Sequence, residues 1–122
     1  MTFVTADRCR TQLGRLTKML VCTFPGSTIY QHTDPIRTMH DVLNHKVDAV
    51  LLGAEMEKTN GLDLMQKLHR QKPDIPVFII SETDSLYEKA IEAGAKGYFV
   101  FPDGEQQLLD AIRSEKDKGN TL

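Results

Sequence analysis

Long apolar runs are absent from this chain, and no block of like charge interrupts its mixture of polar and apolar residues. The longest hydrophobic stretches are strand-sized, and the N-terminal MTFVTADRCRTQL lacks the apolar core of a secretory leader. Neither a signal peptide nor a membrane span is therefore expected, and the expected location is cytoplasmic. With 26% charged residues and a formal net charge of -2, nothing in the charge balance points to nucleic acid or a membrane surface as a partner. Cysteine is scarce. Cys9 and Cys22 are spaced as neither a CxxC redox pair nor a zinc knuckle, so two reduced, packed thiols are expected.

Other signatures are missing too. "TADRCR", after the first strand-like run, has neither GxGxxG nor GxxxxGK[ST], which argues against dinucleotide and nucleoside triphosphate binding. No GxSxG nucleophile elbow occurs. His32, His40, His45 and His69 lack the i, i+4 spacing of a helical metal pair and read as solvated or core-edge side chains. No catalytic set is recognisable, and the chain reads as a non-enzyme without a cofactor.

What is present is a repeating order. At 122 residues the chain suits one domain, expected over 1–116, with a polar tail or linker start at 117–122 that frays together with the polar residues just before it. Five strand-like runs, TFVTA, STIYQ, VDAVLL, IPVFIIS and YFVF, alternate with segments of helical period. STIYQ is the least hydrophobic and suits an edge, whereas IPVFIIS should be buried on both faces. In the first helix Cys9, Leu13, Leu16 and Leu20 form the expected buried face, and in the second Ile36, Met39 and Leu43 do so behind an Asp34 cap and Pro35. The third helix should bury Leu62, Met65 and Leu68 and end before Pro73. The fourth should bury Leu86, Ala90 and Ile91 and stop at Gly94. In the fifth, Asp103 and Gln106 sit at capping-box spacing ahead of Leu108, Leu109 and Ile112.

Five such units call for an α/β fold, a doubly wound parallel sheet with helices on both faces. The flavodoxin-like order 2-1-3-4-5 places the crevice at the carboxyl ends of the strands. Thr5, Ala6, Asp7, Gly53 to Met56, Ser81, Glu82, Phe101 and Pro102 are the residues that would line it.

Within VDAVLLGAEMEKTNGLDLMQKLHRQKPDIPVFIISETDSLYEKAIEAGAKGYFVFP, the "NGL" after the third strand, "PDIPV" into the fourth, "AGAKGY" before the fifth and the terminal proline carry a resemblance. Nearly the whole chain resembles the receiver domain of bacterial two-component response regulators. The resemblance implies a phosphoacceptor aspartate ending the third strand, an acidic pair after the first that helps to hold Mg²⁺, a Ser or Thr ending the fourth, and Lys-Pro ending the fifth. Ser81, Tyr98 and Pro102 match. The acceptor position is Gly53, the lysine position is Phe101, and the acidic pair falls on Thr5 and Ala6 or on Ala6 and Asp7.

Glycine has no side chain with which to accept a phosphoryl group. Asp7 with a backbone carbonyl near Glu55 would hold Mg²⁺ weakly, so no metal site is expected. Phe101 removes an unpaired buried cation and could fill the space left by the missing carboxylate and ion. Gly53 itself could supply a positive-φ bend, and Ser81 a local backbone bond. Glu55, Glu57 and Glu82 read as solvated loop charges. The expected function is a degenerate receiver acting by protein–protein contact without phosphorylation, its partner a signalling protein or a second copy. Tyr87, Ile91 and Tyr98, on the face of the fourth helix, fifth strand and fifth helix, would carry the contact, and an output domain could follow in a longer chain. Two alternatives stand beside it: phosphorylation of a substitute carboxylate, Glu55 or Asp7, and small-ligand binding beside Ser81 in the vacated crevice.

Overall fold

The computed structural model describes residues 1–119. Its elements are β1 (Thr2–Ala6), α1 (Arg10–Thr23), β2 (Thr28–His32), α2 (Pro35–Asn44), β3 (Ala49–Gly53), β4 (Glu55–Met56), β5 (Thr59–Asn60), α3 (Gly61–Gln71), β6 (Val77–Ser81), α4 (Tyr87–Glu92), β7 (Gly97–Val100) and α5 (Glu105–Gly119). The main sheet has five strands in the order β2-β1-β3-β6-β7, every pair parallel. This is the flavodoxin-like order read from the sequence. The addition is a two-residue antiparallel ribbon, β4 with β5, inserted just past the end of β3.

Side-chain alternation divides the core into two halves. Phe3, Leu51, Phe78 and Ile80 meet Leu16 and Leu20 of α1 and Leu108 and Ile112 of α5. Val4, Ala6, Val50, Leu52, Val77 and Ile79 meet Val42, Leu64, Met65, Leu68 and Ala90 from α2, α3 and α4. β3 is buried at every position, and β2 is the half-exposed edge that its composition suggested. A Leu or Phe held this deeply contributes about 1.5–3 kcal/mol relative to exposure, so these two layers fix the relative positions of the strand ends.

The helix starts follow local chemistry. Asp34 accepts the Arg37 N–H at 2.8 Å with Pro35 in the first turn, and Asn60 accepts the Asp63 N–H at 2.9 Å at the start of α3. Gly94 ends α4 with φ 107°, as a left-handed stop.

Several expected faces differ. On α2 the buried residues are Thr38 and Val42, while Ile36 is 76% and Leu43 39% exposed. The face toward the sheet runs through 38 and 42, and Ile36 and Leu43 lie on the flank beside it. On α3, Leu64 is buried and Leu62 only half so. α4 has only six residues, which leaves Leu86 at its N-cap and Ile91 41% exposed. Both cysteines are free but exposed: Cys9 precedes α1 as its N-cap, and Cys22 lies off the Leu13, Leu16 and Leu20 stripe. α5 starts at Glu105, too late for the Asp103–Gln106 box, and the Gln106 amide donates to Asp110 instead, at 3.0 Å. α5 also runs to Gly119, so residues 115–119, expected to fray, are helical. The rest of the expected tail, 120–122, lies outside the described residues.

Replacing Asp34 with Ala removes the acceptor for the first turn of α2. The substitution should lower the unfolding free energy by about 1 kcal/mol, with an unchanged denaturant slope in a urea titration.

Candidate functional site

The crevice begins with strand register. β1 and β3 lie side by side with Thr5 opposite Leu51 and Ala6 opposite Leu52, so Asp7 and Gly53 come next to each other at the sheet edge. The Ala54 N–H donates to the Ile80 carbonyl at 2.8 Å, and the Gly61 N–H donates to the Ala54 carbonyl at 3.1 Å. The loop after β3 is thereby folded back so that α3 starts against the strand end. Gly61 is required there, because a Cβ at this position would collide with the Gly53 carbonyl oxygen.

Gly53 does not adopt the left-handed backbone that the sequence left open; among the glycines positive φ occurs only at Gly26 and Gly94. The reason for its missing side chain lies in its neighbour. A Cβ on Gly53 would overlap Asp7 Oδ2 and stand 2.7 Å from Asp7 Cγ. The Asp7 carboxylate therefore occupies the space that a residue-53 side chain would take. This corrects the expectation that Phe101 fills that space. The three atoms nearest to the Gly53 position all belong to Asp7, while Phe101 is buried in the core half that faces α1 and α5.

Asp7 accepts the Cys9 N–H at 2.8 Å. Burial pushes its carboxyl above the ordinary range. The Cys9 N–H and the Arg8 charge oppose the rise, and the charges of Glu55 and Glu82 add to it. Glu55 is turned to Arg8 in an exposed ion pair. Thr5 and Ala6 are fully buried, and Thr5 Oγ1 has no hydrogen-bond partner among the described residues. Ser81 Oγ accepts the Thr83 N–H at 3.3 Å, a local backbone bond. The buried Tyr98 donates its hydroxyl to the Thr83 carbonyl at 2.6 Å and meets Tyr87 edge-on at 5.9 Å. Tyr87 is half exposed. Pro102, exposed, follows Phe101 through a cis peptide.

The donor set does not suit Mg²⁺. An octahedral ion usually takes one or two carboxylates from protein; here residues 6 and 53 offer no side-chain oxygen and Glu55 is paired with Arg8, which leaves Asp7 with Glu82 near it. No group of three potential ligands converges among the described residues. Beside the crevice an open groove of about 690 Å³ lies between α3 and α4, walled by Ala54, Glu55, Leu62, Leu86 and Lys89. Gly53 and Ser81 are not among its walls.

Two measurements check this geometry. Gly53→Ala should displace the Asp7 carboxyl from its place, and because the displaced atoms end a flexible side chain the loss of stability should stay at about 0.5–1 kcal/mol in a urea titration. Because the fold raises the Asp7 pKa, the native state favours its neutral form; that contribution is complete below the ordinary carboxylate range and is lost as pH rises through the folded value. Asp7→Asn, which keeps an acceptor for Cys9, should raise the urea midpoint at neutral pH, with the gain disappearing in acid below the ordinary carboxylate pKa of 3.8.

The chain can be compared with known proteins on this geometry. The family model described as response regulator receiver domain matches residues 10–113. Response regulator MprA of Mycobacterium sp. (strain KMS) is 27% identical over 94 residues, covering 75% of this chain and 41% of that protein. Response regulator GacA of Pseudomonas aeruginosa is 36% identical over 70 residues, covering 56% of this chain and 33% of that protein. The chain thus spans less than half of the curated relatives it matches. A two-component response regulator from Clostridium difficile superposes with a TM-score of 0.87 at 15% identity, over 99% of both chains. No helix among the described residues is long and apolar enough to cross a membrane. Matched over most of its length, and folded as a parallel sheet whose crevice falls at the expected strand ends, this chain belongs to the response regulator receiver domain family of two-component signal transduction.

Proposed function

We propose that this domain is a degenerate receiver that signals through protein contact, without a phosphoaspartate at the end of β3. The observation that carries this reading is Gly53, with the Asp7 carboxylate lying in the space above it. Phosphoryl transfer needs a nucleophile and a cation to neutralise developing charge. Residue 53 supplies no nucleophile, Phe101 stands where the family has lysine, and the carboxylates present do not form a magnesium site.

The candidate contact surface is the face of α4, β7 and α5. Tyr87 is 51% and Ile91 41% exposed there, and Tyr98 is held inward beneath them by its bond to Thr83. Exposed aromatic and aliphatic groups beside a rigid strand suit a protein partner or a second copy. The partner is a signalling protein, in keeping with the family, and an output domain joined in a longer chain is a further reading. A cytoplasmic location and a domain spanning 1–116 belong to the same proposal.

A second reading has one observation in its favour. Of the two substitute carboxylates, Glu55 is engaged with Arg8, whereas Asp7 lies at the acceptor position. In that reading an Asp7 carboxylate oxygen would take the phosphoryl group from acetyl phosphate and release acetate. The Arg8 guanidinium, taken up by Glu55 rather than by Asp7, favours the first reading.

Incubation with acetyl phosphate and Mg²⁺, followed by intact-mass spectrometry, separates the two. The expected result is no phosphoryl adduct. A stoichiometric adduct lost in Asp7→Asn would establish the second reading in place of the first.

A further inference from the structure

Three of the histidines, read from the sequence as solvated or core-edge side chains, gather around one carboxylate at the opposite edge of the sheet from α4. His32 closes β2, Asp41 lies on α2, and His45 is the C-cap of α2. His32 Nε2 is hydrogen-bonded to Asp41 Oδ2. Asp41 Oδ1 lies 3.5 Å from His45 Nε2 and 3.7 Å from His40 Nδ1. The His45 ring stacks on Tyr30 of β2 at 4.5 Å and 18°. The Asp41 and His32 side chains are only 14% and 19% exposed, so their interaction is shielded from solvent. Burial alone would raise the Asp41 carboxyl, but the hydrogen bond and charge of His32, the charge of His45 and a hydrogen bond from His40 outweigh it and hold it below the ordinary range. Its ionised form therefore contributes stability above that range, lost as pH falls through the folded value.

The other charges around the cluster are accounted for. β2 brings Tyr30 and His32. α2 and its C-cap bring Asp34, Arg37, His40, Asp41 and His45, of which Arg37 and Asp34 pair with each other in the first turn. β1 carries no titratable side chain, and Asp7 follows it. α3 carries Asp63, Lys67, His69 and Arg70, none joined to the cluster by an ion pair among the described residues.

One further bond gives the cluster a reach. The His32 backbone carbonyl accepts the Asp7 N–H at 3.2 Å. The residue that fills the crevice is thus tied to the residue that holds Asp41. With Asp41 ionised, its bond to a neutral His32 is already charge-assisted; a proton on the ring adds the attraction of an ion pair in a site shielded from solvent, and histidine is the side chain that gains its charge between about pH 5 and 8. A proton added to His32 would add ion-pair attraction across a contact already made, holding the end of β2 more firmly against α2, and with it the carbonyl on which the Asp7 amide rests.

We infer that Asp41 and its histidines form a proton-sensitive clamp on the β2 edge, which transmits mild acidification to residue 7 at the rim of the crevice. The input would be a proton on an imidazole, taken up reversibly and far from residue 53. The clamp does not depend on whether the crevice can be phosphorylated.

Nuclear magnetic resonance on the full chain tests it. The histidine ring protons and the backbone amide of residue 7 are followed between about pH 8 and 5.5, the range of imidazole titration, in an Asp7→Asn background that silences the neighbouring carboxyl. The expected result is that the residue-7 amide shifts with the same midpoint as the His32 ring, and that the shift is lost in His32→Asn. If His32→Asn does not fold, Asp41→Asn, which leaves the ring in place, should abolish the coupled shift. An amide that stays still while His32 titrates, or one that shifts unchanged in Asp41→Asn, overturns the inference. His69, which lies against Gly94 rather than against Asp41, provides the internal control.

Discussion

The parallel register of β1 against β3 is the constraint from which the carboxyl edge of this molecule follows. With Ala6 opposite Leu52, residues 7 and 53 leave the sheet as neighbours, and in this chain the Asp7 carboxylate lies where a residue-53 Cβ would sit. Glycine at 53 leaves that volume open. Asp7 then folds into the opening, held by the Cys9 N–H, and gives up hydration in doing so. The register itself cannot slip by one residue, because that would turn Phe3 and Leu51 out of one half of the core and Val4 and Leu52 out of the other.

The substitutions at the edge make physical sense as a set. Removing the carboxylate at 53 leaves no partner for a cation at 101, and a buried unpaired cation is costly. Phe101 instead joins an apolar layer with Phe78 and Leu108. Glu55, which could have faced the opening, is drawn outward to Arg8. Asp7 remains there as a partly desolvated carboxylate that feels the charge of Glu82. Such a site can influence its neighbours through packing and hydrogen bonds, and the two elements poised to feel it are the β2 end, through the His32 carbonyl, and the loop after β6, where Ser81 and Tyr98 are both bonded to Thr83.

Much of this was legible in the residues. The five strand runs, the edge character of β2, the Asp34 cap, the Gly94 stop and the Leu108, Leu109 and Ile112 stripe each depend on local periodicity or on chemistry within one turn. The misread positions share a different cause. Ile36 and Leu43 have the right spacing to be buried, yet lie on the flank of α2 because Thr38 and Val42 are the residues that meet the sheet. An apolar period says that a helix has a face; it does not say through which of two adjacent stripes the tertiary contact runs. Cys9 was misplaced because a helix start shifted by one residue moves a side chain from the stripe to the cap.

The histidines show the same limit more sharply. His40 and His45 stand at i−1 and i+4 from Asp41 on α2, but His32 belongs to a strand, and only the folded β2–α2 unit brings it to Asp41. By itself the sequence determined the element order, the parallel sheet and the loss of side-chain chemistry at positions 53 and 101, because hydrophobic period and residue identity are local properties. The tertiary structure alone decided that Asp7 fills the place of the absent side chain and that Asp41 gathers three imidazoles. Asp7 and Gly53 are far apart along the chain, and His32 reaches Asp41 only across the β2–α2 unit; both distances are set by strand register and helix packing, which no local pattern encodes.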